Sequence, residues 1–386
     1  MNEIKNNDEV SSTPYQGRKC HIIIAGGGTG GHIFPAIAIA NALKNINKEI
    51  EILFIGAKGK MEMEKVPQAG YEIKGLDIAG FNRSSLIKNI ALPYKLIKSF
   101  IQVYSIMKTF KPDAVIGVGG YSTYPVLKYA QQKGIPTFIH ESNSFAGKAN
   151  MMLGKNATKV FVANDGMDQF FPKEKIMIVG NPVRQAIAQS TITKSEGLHF
   201  FGLDETKKTV LAVGDSLGAR SINEALAKQL DEFEKNDLQL LWQTGKTTAI
   251  EYKTKAEGRS NIWCNDFFTA MEMAYAAADV VISRAGAMAV TELCVTGKPS
   301  VFVPFPLAAE DHQTVNAKYL VQKGAAIMIK DSEVNEKLVA TIIALSNNEV
   351  QQELLKKNIK ALAITDADIK IATEIWNTIK ENEIVK

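Results

Sequence analysis

The feature that most constrains this chain is Gly26-Gly-Gly-Thr-Gly-Gly-His32, set between an apolar run and a helical pattern. Five glycines in six positions allow a tight turn and let a ligand come close to the backbone. Cys20–Ala25 (CHIIIA) reads as a buried strand, and Ile33–Leu43 carries apolar residues at helical spacing. A strand, a glycine turn and a helix in that order place free N–H groups and the positive end of a helix dipole at the turn, which suits phosphate. Further strands are expected at Glu51–Ile55, Ala114–Val118 and Pro136–His140. This alternation calls for an α/β fold with a parallel sheet covered by helices.

The rhythm restarts after residue 200, with a strand at Thr209–Val213, a turn at Gly214–Arg220 and a helix at Ser221–Leu230. Two segments echo each other. Asp113-Ala-Val-Ile leads through a glycine turn and a helix to Gly134-Ile-Pro136. Asp279-Val-Val-Ile leads through Arg284-Ala-Gly286 and a helix to Gly297-Lys-Pro299. The spans from Asp to Pro are 23 and 20 residues, so two similar Rossmann-like halves are expected, joined near Gly180-Asn-Pro182. A length of 386 residues, 46% of them apolar, is enough for two cores.

Composition excludes several classes. A net charge of +4 does not mark a nucleic-acid binder, and no nucleic-acid partner is expected. Cys20, Cys264 and Cys294 are too scattered for a disulfide framework or a zinc site. Residues 1–17 are polar and read as a disordered tail rather than a signal peptide. No uninterrupted apolar run is long enough to span a bilayer, so a cytosolic protein able to visit membranes is expected.

Gly26, Gly28 and Gly31 formally satisfy a dinucleotide fingerprint, but the next strand ends Phe54-Ile-Gly56 without the acid such a site requires. No Lys-Ser/Thr pair follows the loop, which excludes a nucleotide-kinase P-loop. His32, where the helix begins, is the first candidate for a base that removes a hydroxyl proton near pH 7. Gly119-Gly120-Tyr121 and His140-Glu141-Ser142-Asn143 follow other strands, so all three loops should converge at the strand C-termini. Glu141 suits a base or a holder of sugar hydroxyls. Asn143 suits a donor to a carbonyl or phosphate.

In the second half, Ser216 and the free N–H groups of the 214–220 turn suit a pyrophosphate. The helix opened by Arg284-Ala-Gly286 offers a second anion site, with Glu292 at a reach suited to a ribose diol. Glu310-Asp-His312-Gln313 places polar side chains where a sugar could be read.

Residues 78–112 hold Arg83, Lys88, Lys95, Lys98, Lys108 and Lys111 and no acid. Leu86, Ile87, Ile90 and Leu92 read as an exposed tip that, with Lys88 and Lys95, suits an anionic membrane surface. From Lys95 onward, apolar 96, 97, 100, 101 and 104 follow helical spacing and are expected to face the core.

Seven motifs in order make the chain resemble the MurG family, membrane-associated N-acetylglucosaminyltransferases of peptidoglycan synthesis. They are GGGTGGHIFPA at 26–36, GVGGY at 117–121, HESN at 140–143, GNPVR at 180–184, DSLGAR at 215–220, SRAGA at 283–287 and EDHQTVNA at 310–317. The resemblance implies a GT-B fold: two Rossmann-like domains across a cleft. It implies an acceptor- and membrane-binding domain over 18–181 plus 366–386, and a UDP-sugar domain over 182–365. The implied reaction is inverting transfer of N-acetylglucosamine from UDP to the 4-hydroxyl of an undecaprenyl-pyrophosphate-linked muramoyl peptide. The implied place is the cytoplasmic face of the inner membrane, on anionic lipid, with other cell-wall synthesis proteins as candidate partners.

Carried over residue by residue, Thr29, Gly30, Gly31 and Asn143 belong to the site, and Arg184, Ser216, Phe268 (through its backbone), Ala287, Met288, Ala289, Val290, Thr291, Glu292 and Gln313 hold the donor. Tyr121 and His312, read from their own loops, complete the expected substrate-binding set. His32 and then Glu141 are the candidate bases, and neither metal nor cofactor is expected. Asp215, Ser142 and Ala289 depart from the family pattern. A lost phosphate hydrogen bond at Ala289 is worth about 1 kcal/mol. Alternatives are a related glycosyltransferase with another nucleotide sugar or lipid acceptor, a non-catalytic membrane-bound scaffold, or a nucleotide-sugar epimerase.

Overall fold

A computed structural model describes residues 19–80, 90–214, 218–308 and 311–384. The expected tail at 1–17 and the tip residues Leu86, Ile87 and Lys88 lie outside the described residues, as do Asp215 and Ser216.

Two all-parallel sheets build the molecule. The first holds β1 (His21–Ala25), β2 (Glu51–Ala57), β3 (Glu72–Leu76), β4 (Ala114–Gly117), β5 (Thr137–Glu141), β6 (Lys159–Val162) and β7 (Ile176–Ile178), in the order 3-2-1-4-5-6-7. The second holds β8 (Lys208–Val213), β9 (Leu238–Gln243), β10 (Ile262–Asn265), β11 (Val280–Ser283), β12 (Ser300–Phe302) and β13 (Ile327–Met328), in the order 10-9-8-11-12-13. In each sheet the strand order reverses once, beside β1 and beside β8. Open parallel sheets bind ligands at such a switch point.

The repeated Asp has the same job in both halves. The His21 N–H donates to Asp113 Oδ2 at 2.9 Å, and the Asp113 N–H donates to His21 O at 2.7 Å. The Thr209 N–H donates to Asp279 Oδ2 at 2.8 Å, and the Asp279 N–H donates to Thr209 O at 2.8 Å. Each carboxylate thus pins the strand beside the switch point to its new neighbour.

The last helix, Ala367–Ile384, leaves the second sheet. Ile371, Ala372, Ile375, Trp376 and Ile379 complete the core of the first sheet, against the helix Gly30–Ile46. Burying each such Ile is worth roughly 1.5–3 kcal/mol, an upper estimate against a compact unfolded chain. The two crossings run side by side, because a Cβ on Gly180 would sit 2.9 Å from the Ile364 side chain. Between the halves, Asn181 Nδ2 donates to Ser142 O at 3.2 Å and to Thr291 Oγ1 at 3.1 Å.

Candidate active site

A cleft of about 540 Å³ lies between the halves, reached by the C-terminal ends of β8, β9 and β11 and by the loop after β1. Thr29, Gly30, Gly31, His32 and Asn143 line it from the first half. Arg184, Phe268, Ala287, Met288, Ala289, Glu292, His312 and Gln313 line it from the other side.

The first-half wall is made of interlocked backbone. The Gly27 N–H donates to Gly119 O at 3.1 Å, and a Cβ on Gly120, whose φ is +93°, would sit 2.5 Å from Gly27 O. His32 stands against this loop, with Nδ1 3.0 Å from Gly27 O. A carbonyl only accepts, so Nδ1 carries the hydrogen and Nε2 of the neutral ring is the proton acceptor. Nε2 lies over Gly119, where a Cβ would approach it to 2.7 Å. This is the geometry of a general base with its tautomer chosen by the backbone.

Glu141, the second candidate base, is only 3% exposed and does not line the cleft. Its Oε1 accepts from the Asn143 N–H at 3.1 Å and from Asn143 Nδ2 at 3.2 Å. Its Oε2 accepts from the Gly147 N–H at 3.0 Å and from Asn150 Nδ2 at 2.9 Å. Four donors on one carboxylate make Glu141 the anchor of the 142–150 loop, which presents Asn143 to the cleft. Beside it, burial pushes the His140 imidazole down to about 4, so the ring is held neutral. Tyr121 is half exposed and packs on Gly80 rather than lining the cleft.

The second-half wall is made of side chains around one helix end. Gly286 caps the helix Ala287–Thr296 with φ −64° and ψ 147°. The first bond back to the cap comes from the Val290 N–H to Gly286 O at 3.0 Å. Ala287, Met288 and Ala289 therefore present N–H groups without intrahelical partners, a site for anionic oxygen. Val290 and Thr291 turn away, against expectation, because the helix rotates about 100° per residue. Val290 packs on the second core, and Thr291 Oγ1 donates to Ala287 O at 2.9 Å.

Glu292 lines the cleft but is already held. Arg184 donates to its Oε1 from Nε at 3.2 Å and from Nη2 at 2.9 Å, and the Tyr275 hydroxyl donates to Oε2 at 3.0 Å. Burial, then the Glu292 charge, drives the Tyr275 hydroxyl well above its ordinary value, so it stays a donor. The Arg184 guanidinium also lies 4.6 Å from the Phe34 ring centroid in the first half. Gln313 Oε1 accepts from the Phe305 N–H at 2.9 Å, which turns its NH2 edge the other way. The Phe268 N–H donates to Gln243 Oε1 at 3.3 Å, and its ring stacks on Trp263 at 4.8 Å.

The glycosyltransferase family 28 N-terminal domain matches residues 22–162, and its C-terminal domain matches residues 209–371. The crystal structure of Acinetobacter baumannii MurG superposes with a TM-score of 0.72 at 30% identity, over 93% of this chain and 100% of that one. A Parabacteroides distasonis protein, UDP-N-acetylglucosamine–N-acetylmuramyl-(pentapeptide) pyrophosphoryl-undecaprenol N-acetylglucosamine transferase, is 48% identical over 364 residues. The match spans 94% of this chain and 99% of that relative. The chain belongs to the MurG family. Its two facing Rossmann-like sheets are the GT-B fold. Outside the MurG family, a UDP-N-acetylglucosamine 2-epimerase structure shares the fold alone, with a TM-score of 0.64 at 15% identity.

Several cleft residues of this MurG-family chain were not anticipated: Phe34, Met61, Gln243, Phe267, Met271 and Tyr275. Gln243 was within reach, because it ends β9 (LQLLWQ), an apolar run with the signature of a buried parallel strand. Tyr275 sits in the middle of a short helix and carries no local signal.

The helix Leu92–Phe110 corrects the reading of 78–112. Only Ser99, Val103 and Met107 of it are buried. Ile97 is 64% and Ile101 65% exposed, with Tyr94, Leu96 and Tyr104 also outward, so most of the apolar stripe expected to face the core faces away from it, and of its residues Phe100 alone is half-buried, its ring edge-on to Tyr124 at 6.5 Å. Ile90 and Lys95 are exposed, as expected, and Leu92 is half-buried. Lys98 is tied to Asp77 at 3.0 Å. Among the described residues, no helix is long and apolar enough to cross a membrane.

Proposed function

We propose that this chain transfers N-acetylglucosamine from UDP-N-acetylglucosamine to the 4-hydroxyl of undecaprenyl-pyrophosphoryl-N-acetylmuramoyl-peptide, with inversion at the anomeric carbon. The observation that carries the proposal is His32. Its Nε2 is left basic by the backbone, and it lines the same cleft as the open helix end at Ala287–Ala289. The activity named for relatives nearly half identical over almost the whole chain supports the same reading.

In this reading the acceptor hydroxyl gives its proton to Nε2 while its oxygen bonds the anomeric carbon. The bond to UDP breaks, and its electron pair stays on the diphosphate. The N–H groups of Ala287, Met288 and Ala289 stabilise that growing charge. Glu292 takes the ribose hydroxyls, exchanging Arg184 for them. Residues 18–181 with 366–386 form the acceptor side, and 182–365 form the donor side. Assay with radiolabelled UDP-N-acetylglucosamine and a lipid-linked acceptor should move the label into the lipid fraction. Label that stays water-soluble while UDP still binds would sink the proposal.

The membrane face in this reading is the outward stripe Tyr94, Ile97, Ile101 and Tyr104 with Lys95. An acceptor on a long polyprenyl chain does not leave the bilayer, because each buried CH₂ is worth about 0.8 kcal/mol. The enzyme must go to it. Binding to anionic liposomes should weaken with salt, at about 1 kcal/mol per cation near the surface. Ile97→Ser with Ile101→Ser and Lys95→Glu should abolish binding and spare UDP affinity. A triple variant that still floats with the liposomes would place the membrane face elsewhere.

A further inference from the structure

We infer that Glu62 is a positioning residue for His32, acting through the peptide group that joins Gly27 to Gly28. The inference rests on the reading of His32 as the base. Glu62 begins the helix Glu62–Gln68, is 1% exposed and does not line the cleft. Its Oε1 accepts from the Ala57 N–H at 2.9 Å, a bond that closes the turn after β2. Its Oε2 accepts from the Gly28 N–H at 2.8 Å. That N–H and the Gly27 carbonyl are the two ends of one planar amide, and the Gly27 carbonyl is the group that receives His32 Nδ1–H at 3.0 Å.

A carboxylate on the N–H end of an amide draws negative charge onto its oxygen, and hydrogen bonds in a chain strengthen one another. Glu62 therefore makes Gly27 O a better acceptor, holds the ring in the Nε2-basic tautomer, and stabilises the imidazolium formed when Nε2 takes the hydroxyl proton. The arrangement does for the imidazole what a directly bonded carboxylate does in a Ser-His-Asp triad, with an amide in between.

The surroundings are cut to admit this carboxylate. A Cβ on Gly27 would lie 2.3 Å from the Glu62 carboxyl carbon, and one on Gly56 would lie 2.4 Å from Glu62 Cγ. Closing the 57–62 turn accounts for the bond from Ala57. It does not account for the second oxygen reaching a loop 34 residues earlier in the chain.

The test is a double-mutant cycle on the full chain, read in the transfer assay. Glu62→Gln offers one acceptor where two N–H groups point. It should lower kcat about ten- to a hundredfold, the scale seen when carboxylates behind metal-bound histidines are removed. Donor KM should stay within about twofold. The acid limb of the kcat profile should move to lower pH, because the imidazolium loses a stabilising charge.

In the His32→Ala background, Glu62→Gln should change the residual turnover no further. Normal kcat with an unmoved limb overturns the inference, and so does an equal loss in the His32→Ala background, which marks general loop damage. Near-normal turnover in His32→Ala alone overturns the base reading and this inference with it. Where Glu62→Gln does not fold, Glu62→Asp is read in the same cycle. It keeps the charge but withdraws it, for an expected loss of about three- to tenfold.

Discussion

The two halves reach the cleft with the same strand order and finish their strands differently. In the first half, the turns after β1 and β4 meet as bare backbone, with the Gly27 N–H on Gly119 O and Gly120 pressed to Gly27. His32 stands on that surface. In the second half, the wall is made of side chains held by one another or by loop backbone: Gln243 at the end of β9, Glu292 with Arg184 and Tyr275, and Gln313. Backbone against backbone leaves no rotamer freedom, so it can hold a base in one orientation. Side chains that hold one another can exchange those partners for a ligand. The first half is built to place a reacting group, the second to read a nucleotide.

The largest expected effect comes from removing the base. His32→Ala should lower turnover about 10²–10⁴-fold and erase the acid limb of the pH profile, with UDP affinity kept. Loss of UDP binding in that variant would make His32 part of the reading half and break the distinction.

Glycine substitutions sharpen the contrast in stability. Gly120→Ala meets Gly27 backbone at a positive φ and should cost on the order of 3 kcal/mol by urea unfolding. Gly286→Ala in the second half has φ −64° and nothing within 4 Å of the new Cβ, and should cost only about 0.5 kcal/mol. Equal losses would mean that the two turns are built alike.

Glu292→Ala should weaken UDP binding by roughly 1.5–3 kcal/mol in calorimetry on the full chain, as for a hydrogen bond to a charged group. Unchanged affinity would leave Glu292 as the partner of Arg184 and Tyr275 only.

A further effect is one of pH. His140 is depressed from 6.5 to about 4 by burial in the first half. The unfolded chain therefore takes up the proton first. The stability due to the neutral ring is complete above pH 6.5 and is lost as pH falls through 4. Between pH 7 and 5 the loss from this group should be about 2 kcal/mol, and His140→Gln should show that much less acid sensitivity. An identical pH dependence in the variant would remove His140 as its source.

Much of the fold was legible because its signals are local. Strands β1, β2, β4, β5 and β8 fall within two residues of the runs read from sequence. The echo from Asp113 to Asp279 marked the real repeat, down to the carboxylate that clips each central strand. Edge strand β3 was not read, because EIKGL is polar and mostly outward on one side. The helix Leu92–Phe110 offers two apolar stripes. Periodicity cannot say which one the core takes, and the helix Thr123–Gln132 decides for Val103 and Met107.

By itself, the sequence determined what backbone preferences and periodicity set within a turn or two. These are a glycine turn between strand and helix, its doubling in a second half, His32 at the first helix end and an open helix end after Gly286. Tertiary structure alone decided which side chains share a charge or a proton. Glu141 became a loop anchor because Gly147 and Asn150 fold back onto it. Glu292 met Arg184 across 108 residues. The acid missing from the end of β2 reached the glycine loop after all, as Glu62, with its oxygens on the N–H groups of Ala57 and Gly28. A hydrogen bond depends on distances of a few tenths of an ångström between groups far apart in the chain, and only the packed molecule sets those distances.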